Sequence, residues 1–186
     1  MEHFHYKVPG WFTFPKLYHY MVQYYNDAHF VEIGAWQGSS TAFMAVEIIN
    51  SGKNIKFDIV DSWNRFAIDG LHALNPELFP DDYVYQLFLE NMKPVQHVIN
   101  PVRMDSAAAA INYKDESLDF IFIDADHSYE AVTRDLQAWF PKLKKNGHIA
   151  GHDYVDDERV YRAVKDFFNI DDTAFCGENC WCYYKR

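Results

Sequence analysis

Short apolar runs alternate along the chain with stretches in which apolar positions recur every three or four residues. The runs "AHFVEIG" (28–34), "IKFDIVD" (55–61), "SLDFIFID" (117–124) and "GHIAGHD" (147–153) are too short for buried helices and predict strands. "VINPVRMD" (98–105) predicts a weaker strand. Pro101 cannot donate to a ladder, which confines that strand to a sheet edge or a late start. The intervening stretches predict helices. One runs from Pro15 onward with Leu17, Tyr20, Met21 and Tyr24 on one face; another covers 39–52 and stops at Gly52. Others cover 81–92, a short 107–111, 128–140 with Val132, Leu136 and Phe140 on one side, and 158–168. The tail adds one or two further strands.

Alternation this regular predicts an α/β fold: one domain across 1–186, with a mostly parallel sheet of about seven strands and helices on both faces. Right-handed crossovers leave few topologies. Ligands in such sheets bind beyond the carboxyl ends of the strands. Those ends hold residues 32–40, 61–63, 105, 124–127 and 152–154, and each carries an acid: Glu32, Asp61, Asp105, Asp124 and Asp153.

Composition narrows the partners. A formal net charge of −10 without a basic stripe argues against nucleic acid, because phosphate binding needs clustered Lys and Arg. No apolar run approaches the roughly 18 residues that span a bilayer, and "MEHFHYKVPGWF" lacks the order of a signal peptide. The expectation is a cytoplasmic chain with no membrane partner; a homo-oligomer is compatible with it. Cys176, Cys180 and Cys182 cluster near the C-terminus, an odd set that makes a poor disulfide framework. A zinc site there needs a distant His as fourth ligand, and the plainer reading is a terminal strand with thiols packed inward. Aromatics at 18 % are in excess and need a location.

"VEIGAWQGSST" puts Gly34 and Gly38 four apart, ahead of Ser39 and Ser40 at a helix start. Glycine lets the backbone turn sharply and approach a ligand. The spacing is not G-x-G-x-x-G, which disfavours a nicotinamide oxidoreductase, and no Gly-Lys-Ser/Thr follows. Asp61 closes the second strand, where a carboxylate can hold a ribose diol by accepting two hydrogen bonds; a solvated loop acid is the alternative. Asp105 in "RMDSA" either faces an adenine or caps the short helix. In "DFIFIDADHSYEAV" the run Phe120–Ile123 stops at Asp124, and Asp126 and His127 follow. Asp126 suits a turn or cap more than a ligand. His127, with an ordinary pKa of about 6.5, suits either a proton acceptor or a helix-start residue bonded to backbone.

"VEIGAWQGSSTAFMA", "FDIVDSW", "DFIFIDADHSYEAVTRDLQAWFPKLKKNGHIAGHDY" and the "PGWFT" lead-in resemble the class I S-adenosylmethionine-dependent methyltransferases. Within them the chain is most similar to the small group that includes sugar O-methyltransferases of macrolide and aminocoumarin pathways. The likeness covers most of residues 9–168. It implies a Rossmann-like domain that binds S-adenosyl-L-methionine and methylates a small-molecule hydroxyl, by analogy a sugar. By the same resemblance Glu32, Gly34 and Gly38 wrap the methionine part of the cofactor with Ser39 or Ser40 assisting, Asp61 holds the ribose, and Asp105 and Ser106 lie on the adenine side. Metal-dependent members hold Mg²⁺ with an acid after the fourth strand and two acids, or Asp-Asn, after the fifth. Here those positions are Asp124, then His152 and Asp153, and His152 departs from the pattern.

Imidazole is an unusual partner for Mg²⁺ and suits Mn²⁺, Fe²⁺, Co²⁺ or Zn²⁺ better. Three readings stay open. His152 ligates a transition metal; or it points away while Asp124 and Asp153 hold Mg²⁺; or the site is metal-free and His152 does acid–base work. The expected cofactors are S-adenosylmethionine and a divalent metal, Mg or Mn. An acceptor hydroxyl is weakly nucleophilic until deprotonated, which gives a metal and a base such as His127 their use. Acceptor recognition falls to the aromatic segment 1–27 and to residues 63–82, long enough for a lid. Trp11, Phe12, Phe14, Trp63 and Phe66 could form an apolar platform, or be core or dimer surface. A non-catalytic binding domain of the same fold is the remaining alternative, since fold alone never settles function.

Overall fold

The central strands are apolar on both faces, and period-2 alternation splits their side chains between two layers. Phe30, Phe57, Ile59, Phe120 and Phe122 face one core; Val31, Ile33, Val60, Ile121, Ile123 and Ile149 face the other. A computed structural model describes residues 1–64, 82–170 and 175–186, of Phe175 the backbone only. The elements are α1 (Pro15–Tyr24), β1 (Asp27–Ile33), α2 (Ser39–Ser51), β2 (Asn54–Asp61), α3 (Tyr83–Met92), β3 (Ile99–Arg103), α4 (Ser106–Ala110), β4 (Leu118–Ile123), α5 (Tyr129–Trp139), β5 (Leu143–Gly151), α6 (Glu158–Phe168), β6 (Phe175–Gly177) and β7 (Cys180–Tyr184). They build one seven-stranded sheet in the order β3-β2-β1-β4-β5-β7-β6. The first five strands are parallel, and β7 runs antiparallel to β5 and β6.

The first layer, under α1, α2 and α3, takes up much of the aromatic excess: Phe14, Tyr18, Phe43 and Phe88 are buried there with the strand phenylalanines. The second layer packs α4, α5 and α6 through Val132, Leu136, Trp139, Val160 and Val164. β3 lies at the sheet edge, as Pro101 demands. β5 begins at Leu143 rather than at Gly147. The polar "KKN" run hid its first half, and the β4–β5 register shifts there, with Leu118 opposite Leu143 but Phe120 opposite His148. Cys180 is buried and Cys182 half-buried as the inward-packing reading expects, whereas Cys176 is exposed; all three are free thiols. Among the described residues no helix is long and apolar enough to cross a membrane.

Residues 1–14 form an irregular strap along α2. His3 stacks on Phe43 with ring centroids 4.4 Å apart, and Ser39 Oγ donates to the His5 carbonyl at 3.1 Å. The strap leads into α1, whose first turn is capped from the far end of the chain. Glu178, in the β6–β7 turn, accepts from Lys16 N at 3.0 Å and Leu17 N at 3.1 Å, satisfying helix-terminal donors that have no partner within the helix.

Candidate active site

The sheet order fixes the order of the strand-end residues. Along β3-β2-β1-β4-β5 the carboxyl ends present Asp105 and Ser106, then Asp61, Gly34, Asp124, and finally His152 with Asp153. All of these line one cavity of about 730 Å³, and the strap covers it with Pro9, Gly10, Trp11, Phe12 and Phe14.

Gly34 is where β1 leaves the sheet against β4. Its φ is +86°, and a Cβ there would lie 2.1 Å from the Asp124 carbonyl oxygen. Only glycine fits both the conformation and the space. The turn that follows is stitched to β2 by Asp61. Asp61 Oδ2 accepts from Ala35 N at 2.8 Å and Trp36 N at 2.9 Å, and Oδ1 accepts from Trp63 N at 2.7 Å. A carboxylate offers about four acceptor sites, so one remains for a ligand. Burial pushes the Asp61 pKa up, against the pull of these three backbone bonds.

Two residues assigned to the cofactor by resemblance sit elsewhere. Glu32 does not line the cavity. It points into the first layer, fully buried, where Tyr18 Oη donates to Oε1 at 2.8 Å and Thr41 Oγ1 donates to Oε2. Burial raises its pKa to about 7. Gly38, with φ +93°, ends the turn ahead of α2, and a Cβ on it would meet Met92 Cε at 2.8 Å; its part is packing against α3. Ser39 and Ser40 do reach the cavity wall. Asp105 takes the capping role, with Oδ1 accepting from Ala108 N at 3.1 Å and Oδ2 3.3 Å from Arg134, yet it remains on the wall. Ser106 Oγ accepts from Trp139 Nε1 at 2.9 Å.

At the other end of the row, two carboxylates and two imidazoles converge. His127 Nε2 lies 3.1 Å from Asp153 Oδ2 and 3.5 Å from Asp124 Oδ1. His152 Nδ1 lies 3.3 Å from Asp153 Oδ1 and 4.0 Å from Asp124 Oδ1, while its Nε2 is 2.8 Å from Thr13 Oγ1. The bond to Asp124 holds the His127 pKa up despite burial, helped by the charges of Asp124 and Asp153. Burial opposes charge on His152, but its bond to Asp153 and the nearby carboxylates outweigh it and raise the pKa. The His152 partnership in turn lowers the Asp153 carboxyl. Asp153 adopts φ +57°, a conformation uncommon outside glycine. Asp126 is a turn acid whose Oδ1 accepts from Ser128 N at 2.7 Å, and Ser128 caps α5.

Among the described residues one set can place three ligand atoms within 4.8 Å of one another: Asp124, His152 and Asp153. A first-row ion about 2.0–2.3 Å from each donor fits that spacing. His152 points inward rather than away, and its imidazole favours a transition ion over Mg²⁺.

Of the aromatic platform, Trp63 and Phe14 are core, and Phe12 packs partly buried against them. Among its described members only Trp11 is exposed, at 73 %, stacked on Trp36 with centroids 4.9 Å apart. Phe66 and most of the expected lid at 63–82 lie outside the described residues. Thr13 and Asp135 were not anticipated. Asp135 lines the cavity nearly fully buried, and burial raises its pKa to about 6. Its signal was available: the inward stripe Val132, Leu136, Trp139 on α5 carries an acid at one of its positions.

Residues 31–154, more than half of the chain, match a family described as a methyltransferase domain. The fold is similar to that of the O-methyltransferase NovP, with a TM-score of 0.62 at 17 % identity, covering 92 % of this chain and 78 % of that one. It is also similar to a Podospora anserina methyltransferase solved with S-adenosylhomocysteine bound, with a TM-score of 0.62 at 11 % identity over 92 % of this chain and 76 % of that one. An uncharacterized protein of Acanthamoeba polyphaga mimivirus is 27 % identical over 133 residues, 70 % of this chain; the match spans about half, 53 %, of that relative's length.

Proposed function

The chain belongs to the methyltransferase-domain family, and from that membership we propose that it transfers the methyl group of S-adenosylmethionine to a hydroxyl of a small molecule. One observation carries the reading: the glycine turn and the Asp124–His127–His152–Asp153 cluster share one cavity. The tight Gly34 turn and the free acceptor site on Asp61 suit the cofactor's methionine and ribose ends, with Ser39 and Ser40 beside the turn and Asp105 and Ser106 on the adenine side. The cofactor supplies a methyl group on a sulfonium, already a strong electrophile. The residues must therefore align and deprotonate the acceptor.

His127 is placed for the proton. Its Nε2 faces two carboxylates, which stabilise the imidazolium that forms when it takes the hydroxyl proton, as a triad aspartate does. Asp124, His152 and Asp153 would hold a divalent cation, Mn²⁺ in preference to Mg²⁺, which lowers the pKa of an acceptor hydroxyl when bound. Holding oxygen, methyl and sulfur in line contributes a proximity term of about 7–11 kcal/mol in favourable cases. Trp11, exposed on the rim, offers a flat apolar face of the kind that covers a sugar or aromatic ring.

The pairing of the two carboxylates with two imidazoles favours a second reading, in which the cluster balances its own charge and works by acid–base chemistry alone. Turnover with a panel of sugar and phenolic hydroxyls separates the two: EDTA abolishes methyl transfer and Mn²⁺ restores it under the first reading, and full activity in EDTA selects the second. No methyl transfer to any oxygen, with transfer to nitrogen or sulfur instead, contradicts both.

A further inference from the structure

We infer that Thr13 is a positioning residue that holds the His152 ring with Nδ1 turned toward Asp124 and Asp153. This rests on the reading of those three residues as a cation site. Thr13 Oγ1 is 2.8 Å from His152 Nε2, across 139 residues of sequence. Thr13 is absent from the cavity wall although its neighbours Phe12 and Phe14 form part of it, so it reaches the chemistry only through His152. The rest of the ring packs on Phe14, at 4.9 Å between centroids, while Nδ1 meets Asp153 Oδ1 at 3.3 Å. Histidine χ2 is a broad torsion, and a hydrogen bond on the nitrogen away from the acids adds a second anchor that fixes which nitrogen faces them.

The hydroxyl suits two states of the ring. When His152 Nδ1 carries a proton shared with Asp153, Nε2 accepts from the Thr13 hydroxyl. When Nδ1 offers its lone pair to a cation, Nε2 carries the proton and donates to Thr13. A hydroxyl is donor and acceptor at once and rotates between these roles without moving the oxygen. The bond is also built on a fixed base. Thr13 stands two residues before α1, and the start of α1 is tied by two backbone bonds to Glu178. The next residue, Asn179, donates from Nδ2 to Asp153 Oδ1 at 3.3 Å and to Asp156 Oδ2 at 2.8 Å. The β6–β7 turn thus braces both sides of the cluster.

The test compares wild type, Thr13→Val and Thr13→Ser by titration with Mn²⁺ in a calorimeter, and by ¹⁵N NMR of the histidine rings in metal-free protein. Hydrogen-bond partners of ligating histidines are commonly worth about 10–100-fold in metal affinity. The Val variant should lose affinity by that factor and shift or broaden the His152 ring signals, with the Ser variant close to wild type in both. Unchanged affinity and unchanged ring signals in Thr13→Val overturn the inference. If wild type binds no Mn²⁺, the cation reading fails, and the NMR arm still decides: a His152 change in the Val variant that Ser reverses supports the positioning role, and none overturns it.

Discussion

Replacing Glu32 by Gln should make the protein more stable at pH 8 and leave it nearly unchanged at pH 5. Glu32 is fully buried, and burial raises its pKa from 4.5 to about 7 in the folded state. A folded-state pKa above the unfolded value means that the folded protein binds the extra proton. The stability Glu32 contributes is then complete below pH 4.5 and is lost as pH rises through 7. Two and a half pKa units correspond to about 3 kcal/mol, an order-of-magnitude figure. Gln keeps the shape, and the Tyr18 and Thr41 hydroxyls can rotate to meet an amide as they meet a protonated carboxyl. Melting temperatures of both proteins from pH 4 to 9 provide the assay, and their difference removes other titrating groups such as Asp61 and Asp135. A chain of this size moves roughly 2–4 °C per kcal/mol, so the curves should separate by on the order of 5–10 °C at pH 8 and converge near pH 5. Parallel curves across the range would refute the argument that a buried, titrating Glu32 limits stability.

Gly34→Ala should cost about 3 kcal/mol or more in urea denaturation, because a Cβ at φ +86° would collide with the Asp124 carbonyl. Asp61→Asn turns an acceptor toward three backbone N–H groups into a partial donor. It should cost about 1–3 kcal/mol of stability and weaken S-adenosylhomocysteine binding in calorimetry. Glu178→Ala uncaps α1 and should lower stability by about 1–2 kcal/mol, read by the denaturation midpoint, with the loss reduced in Glu178→Asp.

The sheet was legible because its strands are buried on both faces, and runs such as Phe120–Ile123 have no rival reading at that length. The rim rule then named Gly34, Asp61, Asp124, His127, His152 and Asp153, and the fold brings them to one cavity. Glu32 shows where that rule overreaches. It stands inside β1 on the Phe30 side, so the pleat directs it into the first layer and not over the rim. The start of β5 is hidden in the sequence because polar Lys144, Lys145 and Asn146 follow Leu143, and a strand that meets solvent on that stretch has no apolar signal. Thr13 was out of reach of any local pattern. Its meaning comes from His152, and only the folded chain puts a strap residue against the end of β5.

A methyltransferase site must first of all bind the cofactor. Calorimetric titration of the folded protein with S-adenosylhomocysteine should show one site per chain, weakened in Asp61→Asn. Absence of binding to wild-type protein at millimolar ligand would contradict a methyltransferase site built on Gly34 and Asp61.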